Sequence, residues 1–135
     1  MSKNSKPRKA RRNRSASIPM MRETRDMMAM SLHQAVETLI HAPSVETYNA
    51  MSLQLVTMGR VLGKQDYMER AKRAMLDVFS RFERVNRMGV SDTEAEMLRQ
   101  ASGAIDAALA YVKVDKLAAA ELKTAAWCRE NNVAA

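Results

Sequence analysis

The chain has 135 residues, a single cysteine and a formal net charge of +7 at neutral pH. This length predicts one small domain, and no apolar run approaches the roughly 20 residues that a membrane-spanning helix needs. Cys128 has no partner for an internal disulfide and the N-terminus lacks the apolar segment of a secretory signal, so we expect a reducing cytoplasm.

The excess positive charge lies in the first 14 residues. They hold seven of the 22 Lys and Arg residues, which leaves 15 cations against 15 acidic residues in the rest of the chain. Residues 1–19 are polar and contain two prolines, so we predict a disordered basic arm. A solubilising tail, a nuclear-import signal and a transit peptide have a similar composition. We expect the arm to contact nucleic-acid phosphates or an acidic partner through Lys3, Lys6, Arg8, Lys9, Arg11, Arg12 and Arg14.

A first helix is predicted from about Met20 to Ala42, because Pro43 disfavours helical angles in the residue before it. Its buried stripe consists of Met21, Met28, Leu32, Ala35, Val36 and Leu39. Three further methionines, Met20, Met27 and Met30, lie off this stripe. They form an adaptable protein-binding surface or are covered by neighbouring helices.

A second helix is predicted from about Val45 to Leu62, with Ser44 as its N-cap and Gly63 as its stop. Its inner face comprises Tyr48, Met51, Leu55, Met58 and Leu62. The very short link at 63–65 favours an antiparallel hairpin with the next helix. A DNA-reading helix-turn-helix is the alternative.

The central helix is predicted from Asp66 to Met88, with a capping box between Asp66 and Glu69 and a stop at Gly89. Its inner side is formed by Met68, Ala71, Met75, Val78, Phe79, Phe82 and Val85. The opposite side carries Arg70, Arg73, Arg81 and Arg84. These arginines either bind phosphates or an acidic protein surface, or form surface ion pairs in which Arg73 and Arg81 flank Asp77.

After Gly89, the pair Ser91 and Glu94 predicts a second capping box. The helix that follows buries Leu98, Ala101, Ile105, Ala108, Leu109 and Val112. The helical phase breaks at 112–116, where Asp115 can cap a last helix that carries Leu117, Ala120, Thr124, Trp127 and Cys128 on one side. Residues 91–131 therefore form one bent helix or two.

Together these patterns predict an all-α fold, a small bundle of four to five helices over 20–131. The basic arm precedes the bundle, and the last four residues, 132–135, should fray. No strand-like alternation or Gly-rich phosphate loop interrupts the helical pattern.

The sequence offers little for catalysis. His33 and His41 would lie about 12 Å apart on one helix, too far to share a metal ion. Cys128 has no activating residue near it and is interpreted as a buried hydrophobic residue. No pair of acidic residues is placed for proton transfer. We therefore predict a protein that is not an enzyme and that needs no metal and no cofactor.

Residues 82–110 carry three short motifs behind the basic leader. They read Glu83-Arg84-Val85-Asn86-Arg87, Leu98-Arg99-Gln100-Ala101 and Asp106-Ala107-Ala108-Leu109-Ala110. In these motifs the chain resembles short proteins encoded in prophages and mobile elements of proteobacteria, and the similarity covers about residues 35–120. The resemblance implies a bacterial cytoplasm during phage or plasmid residence. Small non-enzymatic proteins of such elements often occupy a host machine, including defence complexes.

The leading hypothesis is therefore a binding protein that inhibits or modulates a host protein or ribonucleoprotein complex, for example an anti-CRISPR-like inhibitor. The rival is an accessory protein that binds DNA or RNA through the arm and the arginines of the central helix. A third possibility is a self-assembling protein whose exposed methionines are buried in a homodimer. No membrane partner is expected.

Overall fold

The computed structural model describes the backbone of residues 5–131 and the side chains of residues 22–113 and 115–131. Five helices are present: α1 (Ser5–His41), α2 (Val45–Leu62), α3 (Asp66–Val85), α4 (Asp92–Leu109) and α5 (Val114–Glu130). Residues 5–131 contain no β-strand. The predicted all-α fold is confirmed, and residues 91–131 form two helices.

The two ends of α1 compare differently with the sequence prediction. Its C-terminal end at His41 agrees with the stop predicted before Pro43. Its assigned start at Ser5 lies well before Met20, within the predicted arm. The side chains of 1–21 and all of 132–135 lie outside the described residues, so the disorder of the arm and the fraying of the tail stay predictions.

Two helix starts follow the predicted capping chemistry. The Ser44 side chain accepts a hydrogen bond from the Thr47 backbone N–H at 3.1 Å, and the Thr47 hydroxyl accepts one in return from the Ser44 N–H. Ser91 and Glu94 form the same reciprocal arrangement at the start of α4. Such contacts satisfy backbone donors that a first helical turn leaves unpaired.

Three predicted helix boundaries are wrong. Gln65 is the N-cap of α3 and makes no side-chain cap, so Asp66 and Glu69 lie inside the first turn rather than forming a capping box. The same helix ends at Val85 because Asn86 adopts the left-handed conformation (φ 55°), which asparagine tolerates better than most residues. Lys113, not Asp115, precedes α5.

Helices α1 to α4 form an antiparallel ring. The Tyr48 hydroxyl donates to the Met75 carbonyl oxygen at 3.1 Å, whereas Gly59 lies opposite Met68. Early residues of α2 thus face late residues of α3, as in the predicted hairpin. The α1–α4 contact closes the ring, and its cross-links run from the Arg25 guanidinium to the Val112 carbonyl, from His33 to Asp106 and from Glu37 to Arg99.

The core lies inside this ring, and α5 packs on the outer side of α2 and also touches α1. The largest fully buried side chains include Leu32, Leu39, Met51, Met58, Met68, Leu98, Ile105 and Leu109. Removing such aliphatic surface from water is the main favourable term in folding. Within residues 5–131, none of the helices has the length and apolarity that crossing a bilayer requires.

Candidate functional site

The structure divides the arginine stripe predicted on α3. Arg70, Arg73 and Arg84 are exposed, whereas Arg81 is half-buried. The Arg81 guanidinium donates hydrogen bonds to the Glu94 carboxylate and, at 3.0 Å, to the Gly89 carbonyl oxygen. Arg81 is therefore engaged within the fold, and the three exposed arginines remain available to a partner.

The predicted ion pairs around Asp77 are wrong. Among the described side chains, no salt bridge joins Asp77 to Arg73 or Arg81. Arg81 turns instead towards α4, where Glu94 lies 13 positions further along the chain. A buried carboxylate without a cation is costly, so the contact with Glu94 takes precedence over a solvated pair on the helix surface.

Glu94 is the centre of the α3–α4 contact. Its side chain is buried and also accepts a hydrogen bond from the Ser91 N–H at 2.9 Å. Burial acts to raise the pKa of Glu94, but the hydrogen bonds from Arg81 and Ser91 outweigh it and hold the pKa below its ordinary value. This carboxylate stays ionised and joins the two helices, so its role is structural.

The methionines predicted off the α1 stripe are exposed where the structure describes them. Met27 is 71% exposed and Met30 is 61% exposed. The alternative that neighbouring helices cover these two residues is therefore wrong. Their use as a protein interface stays a prediction. Met20 lies outside the described side chains, and so do the arm residues Lys3, Lys6, Arg8, Lys9, Arg11, Arg12 and Arg14.

The histidines and the cysteine have ordinary structural environments. His33 Nε2 lies 2.9 Å from an Asp106 carboxylate oxygen, and His41 Nε2 lies 3.2 Å from Glu37. Cys128 is buried on the side of α5 that faces α2. Among the described side chains, no three His, Cys, Asp or Glu residues come together as they would around a metal ion.

A row of apolar side chains that sequence reasoning did not identify lies open to solvent between α2 and α3. We call it the α2–α3 seam, and it consists of Val45, Tyr48, Val56, Leu76 and Phe79. Four of these residues are 41–63% exposed, and Tyr48 is half-buried. The Tyr48 and Phe79 rings lie 6.0 Å apart between centroids, which joins the two helices' contributions into one surface.

The predicted inner stripe of α3 explains why the seam was missed. Phe79 and Val85 were both assigned to the core, yet they are 41% and 53% exposed. Leu76 was not assigned to any face. A stripe at helical spacing shows which residues share a side, but not how far a neighbouring helix covers its edges. The available signal was Leu76, a large apolar residue outside the stripe.

Cations line one end of the seam. A depression of about 420 Å³ there is bounded by Val56, Arg60, Lys64 and Lys72, together with the acid Glu69. Lys72 Nζ lies 3.7 Å from a Glu69 carboxylate oxygen, and both side chains are about half exposed. Such a surface pair is weak and can exchange partners.

A second groove, of about 630 Å³, runs between α2 and α5. Its lining includes Leu53, Leu122 and Cys128. A polar contact joins the two helices, in which the Thr57 hydroxyl donates to the Thr124 hydroxyl at 2.9 Å. The groove is lined mainly by small and aliphatic side chains, and charge marks it less than it marks the seam.

Compared with known proteins, the chain matches no protein-family model, no curated protein and no solved structure. Functional inference therefore rests on the surfaces described above. The buried polar groups Thr57, Thr124 and Glu94 are engaged in helix caps and interhelical contacts. The arrangement is suited to contact with a partner through exposed apolar and cationic side chains.

Proposed function

We propose that this chain is a non-enzymatic binding protein of a mobile element that inhibits or modulates a host complex, such as a CRISPR-type defence effector in a bacterial cytoplasm. The observation that carries this proposal is the α2–α3 seam. Four of the ten large apolar side chains that are prominently exposed lie on it. Clusters of exposed apolar residues mark protein-interaction sites more often than scattered ones do.

The charge distribution supports the same function. Beyond the first 14 residues the chain is formally neutral, so affinity at the seam depends on shape and apolar contact. The seven cations of the arm accelerate encounter with an acidic or nucleic-acid-containing complex, because long-range attraction raises association rates. A ribonucleoprotein offers a protein surface and a polyanion together.

Capture from a bacterial lysate tests the proposal with a matched pair of variants. Full-length protein should retain a stoichiometric host protein. Leu76→Ser should lose it, because the substitution places a hydroxyl in the seam. Leu122→Ser is the control, because Leu122 is 70% exposed on α5. Nuclease treatment separates direct partners from those bridged by nucleic acid. Absence of a stoichiometric partner across several salt concentrations would contradict the proposal.

A second candidate function is nucleic-acid binding as an accessory or regulatory protein. Its specific support is the arm, which holds seven cations and no acid in 14 residues, together with exposed Arg70, Arg73 and Arg84. Arg81 does not belong to this surface because Glu94 engages it. Binding to a labelled oligonucleotide should weaken steeply with salt, and deleting residues 1–14 should flatten that dependence. No binding at low salt would end this alternative.

A further inference from the structure

The seam has the dimensions of a shallow helix-binding groove. Val45 and Val56 are 11 positions apart on α2, a distance of about 16 Å at 1.5 Å per residue. Leu76 and Phe79 are three positions apart on α3, so they lie next to each other on that helix. An amphipathic helix that docks by its apolar face uses anchors spread over about two turns, which is roughly 11 Å.

The charges along the seam are unequal at its two ends. At the end near Gly63, the cations Arg60, Lys64 and Lys72 face one acid, Glu69. Arg60 donates a hydrogen bond to Thr124 on α5 at 2.7 Å, and Lys64 and Lys72 are exposed. The whole chain also carries a net charge of +7, which favours the approach of acidic surfaces.

We propose that the α2–α3 seam binds an amphipathic helix of a partner protein, with the apolar face of that helix on Leu76 and Phe79. Acidic residues at one end of the helix lie over Lys64 and Lys72. This inference rests on the proposed function and names the element of the partner that is recognised. Lys72 leaves Glu69 for the partner's carboxylate with little loss, because their contact is a surface pair.

The side chains of the seam favour a protein helix over a nucleic-acid strand. Bases bind single-stranded-nucleic-acid proteins by stacking on free aromatic faces. Tyr48 and Phe79 are the seam's aromatic residues, and their rings already face each other at an interplanar angle of 34°. The exposed remainder is aliphatic. Glu69 also lies at the cationic end, where it would repel phosphates.

Two synthetic 18-residue peptides serve as probes in fluorescence anisotropy with the full-length protein. Both have the same leucine stripe at i, i+3, i+4 and i+7 spacing, and the polar positions of one end are glutamate in the first peptide and lysine in the second. The glutamate peptide should bind at least ten times more tightly. Leu76→Ser should weaken its binding at least fivefold, and Lys72→Glu should reduce the preference for glutamate.

Leu122→Ser is the matched control and should leave peptide affinity unchanged. Urea denaturation of each variant verifies that the fold is intact. Equal binding of the two peptides, no binding of either, or loss of binding in Leu122→Ser overturns the inference. So does a protein dimer that Leu76→Ser dissociates, because the seam is then occupied by a second copy of the chain. An oligonucleotide whose binding depends on Leu76 would equally contradict it.

The peptide assay and the lysate capture fail separately. Capture of a host protein through Leu76 without any peptide preference supports the proposed function and overturns the acidic-helix inference. Preferential binding of the glutamate peptide through the seam, without a host partner, supports the inference and contradicts the host-directed function.

Discussion

The two flanks of α3 differ in how they are closed. On the α4 flank, Arg81 reaches the buried Glu94, and Ala74 and Val78, which share the helix face of Arg81, are buried. On the α2 flank, Leu76 and Phe79 remain 63% and 41% exposed. One helix thus contributes to a sealed interface on one side and an open one on the other. The comparison indicates that the α4 flank serves stability and the α2 flank is available for contact.

The largest expected effect is on the sealed flank. Glu94→Ala should lower the free energy of unfolding by about 3 kcal/mol, because it leaves a half-buried guanidinium without its carboxylate and removes part of a capping box. Urea denaturation followed by circular dichroism measures the change. Glu96→Ala is the control, since Glu96 is exposed on the same helix. A loss below 1 kcal/mol would show that Glu94 does not stabilise this flank.

Acid should open the same flank. The pKa of Glu94 is lowered in the folded state, so its ionised form contributes stability above the ordinary value of 4.5. That contribution disappears as the pH falls through the lower folded pKa. Glu94→Gln should therefore lose less stability than the unsubstituted protein between pH 5 and pH 3. Parallel pH profiles for the two proteins would assign the acid sensitivity to other carboxylates.

A smaller effect is expected where α2 and α3 meet beneath the seam. Tyr48→Phe removes the hydrogen bond from the phenol to the Met75 carbonyl oxygen and should cost about 1 kcal/mol. Both rings should still pack, because phenylalanine keeps the apolar surface that contacts Phe79. Thermal denaturation measures the loss. A loss as large as that of Glu94→Ala would remove the proposed difference between the flanks.

The smallest effect is expected on the open flank itself. Leu76→Ser should change the free energy of unfolding by less than about 0.5 kcal/mol, because most of the side chain is already in water. Chemical denaturation with Val78→Ser as the contrasting variant tests this, since Val78 is fully buried two positions away. A large loss in Leu76→Ser would mean that the seam stabilises the bundle.

Local sequence signals predicted much of the fold. The bounds of α2 agree with the sequence because Ser44 and Gly63 have distinctive roles at its two ends. The capping box at Ser91 located the start of α4 in the same way. These features involve residues three or four positions apart, so they can be read without knowledge of the tertiary structure.

The features that failed depend on the packing of distant residues. Arg81 had a nearby acid at Asp77, and only the fold of the α3–α4 turn places Glu94 closer. The exposure of Phe79 follows from where α2 lies, which the stripe on α3 does not specify. Asn86 ended the helix ahead of Gly89, the residue with the stronger stop signal in the sequence. The candidate surface therefore emerged from the tertiary structure.

Cys128 gives the outermost helix an internal reporter. It is the chain's sole thiol, and it is 3% exposed against α2 while α5 is docked. An alkylating reagent can modify it only when α5 detaches or the whole chain opens. The alkylation rate under native conditions thus measures how often this helix separates from α2, without any added label.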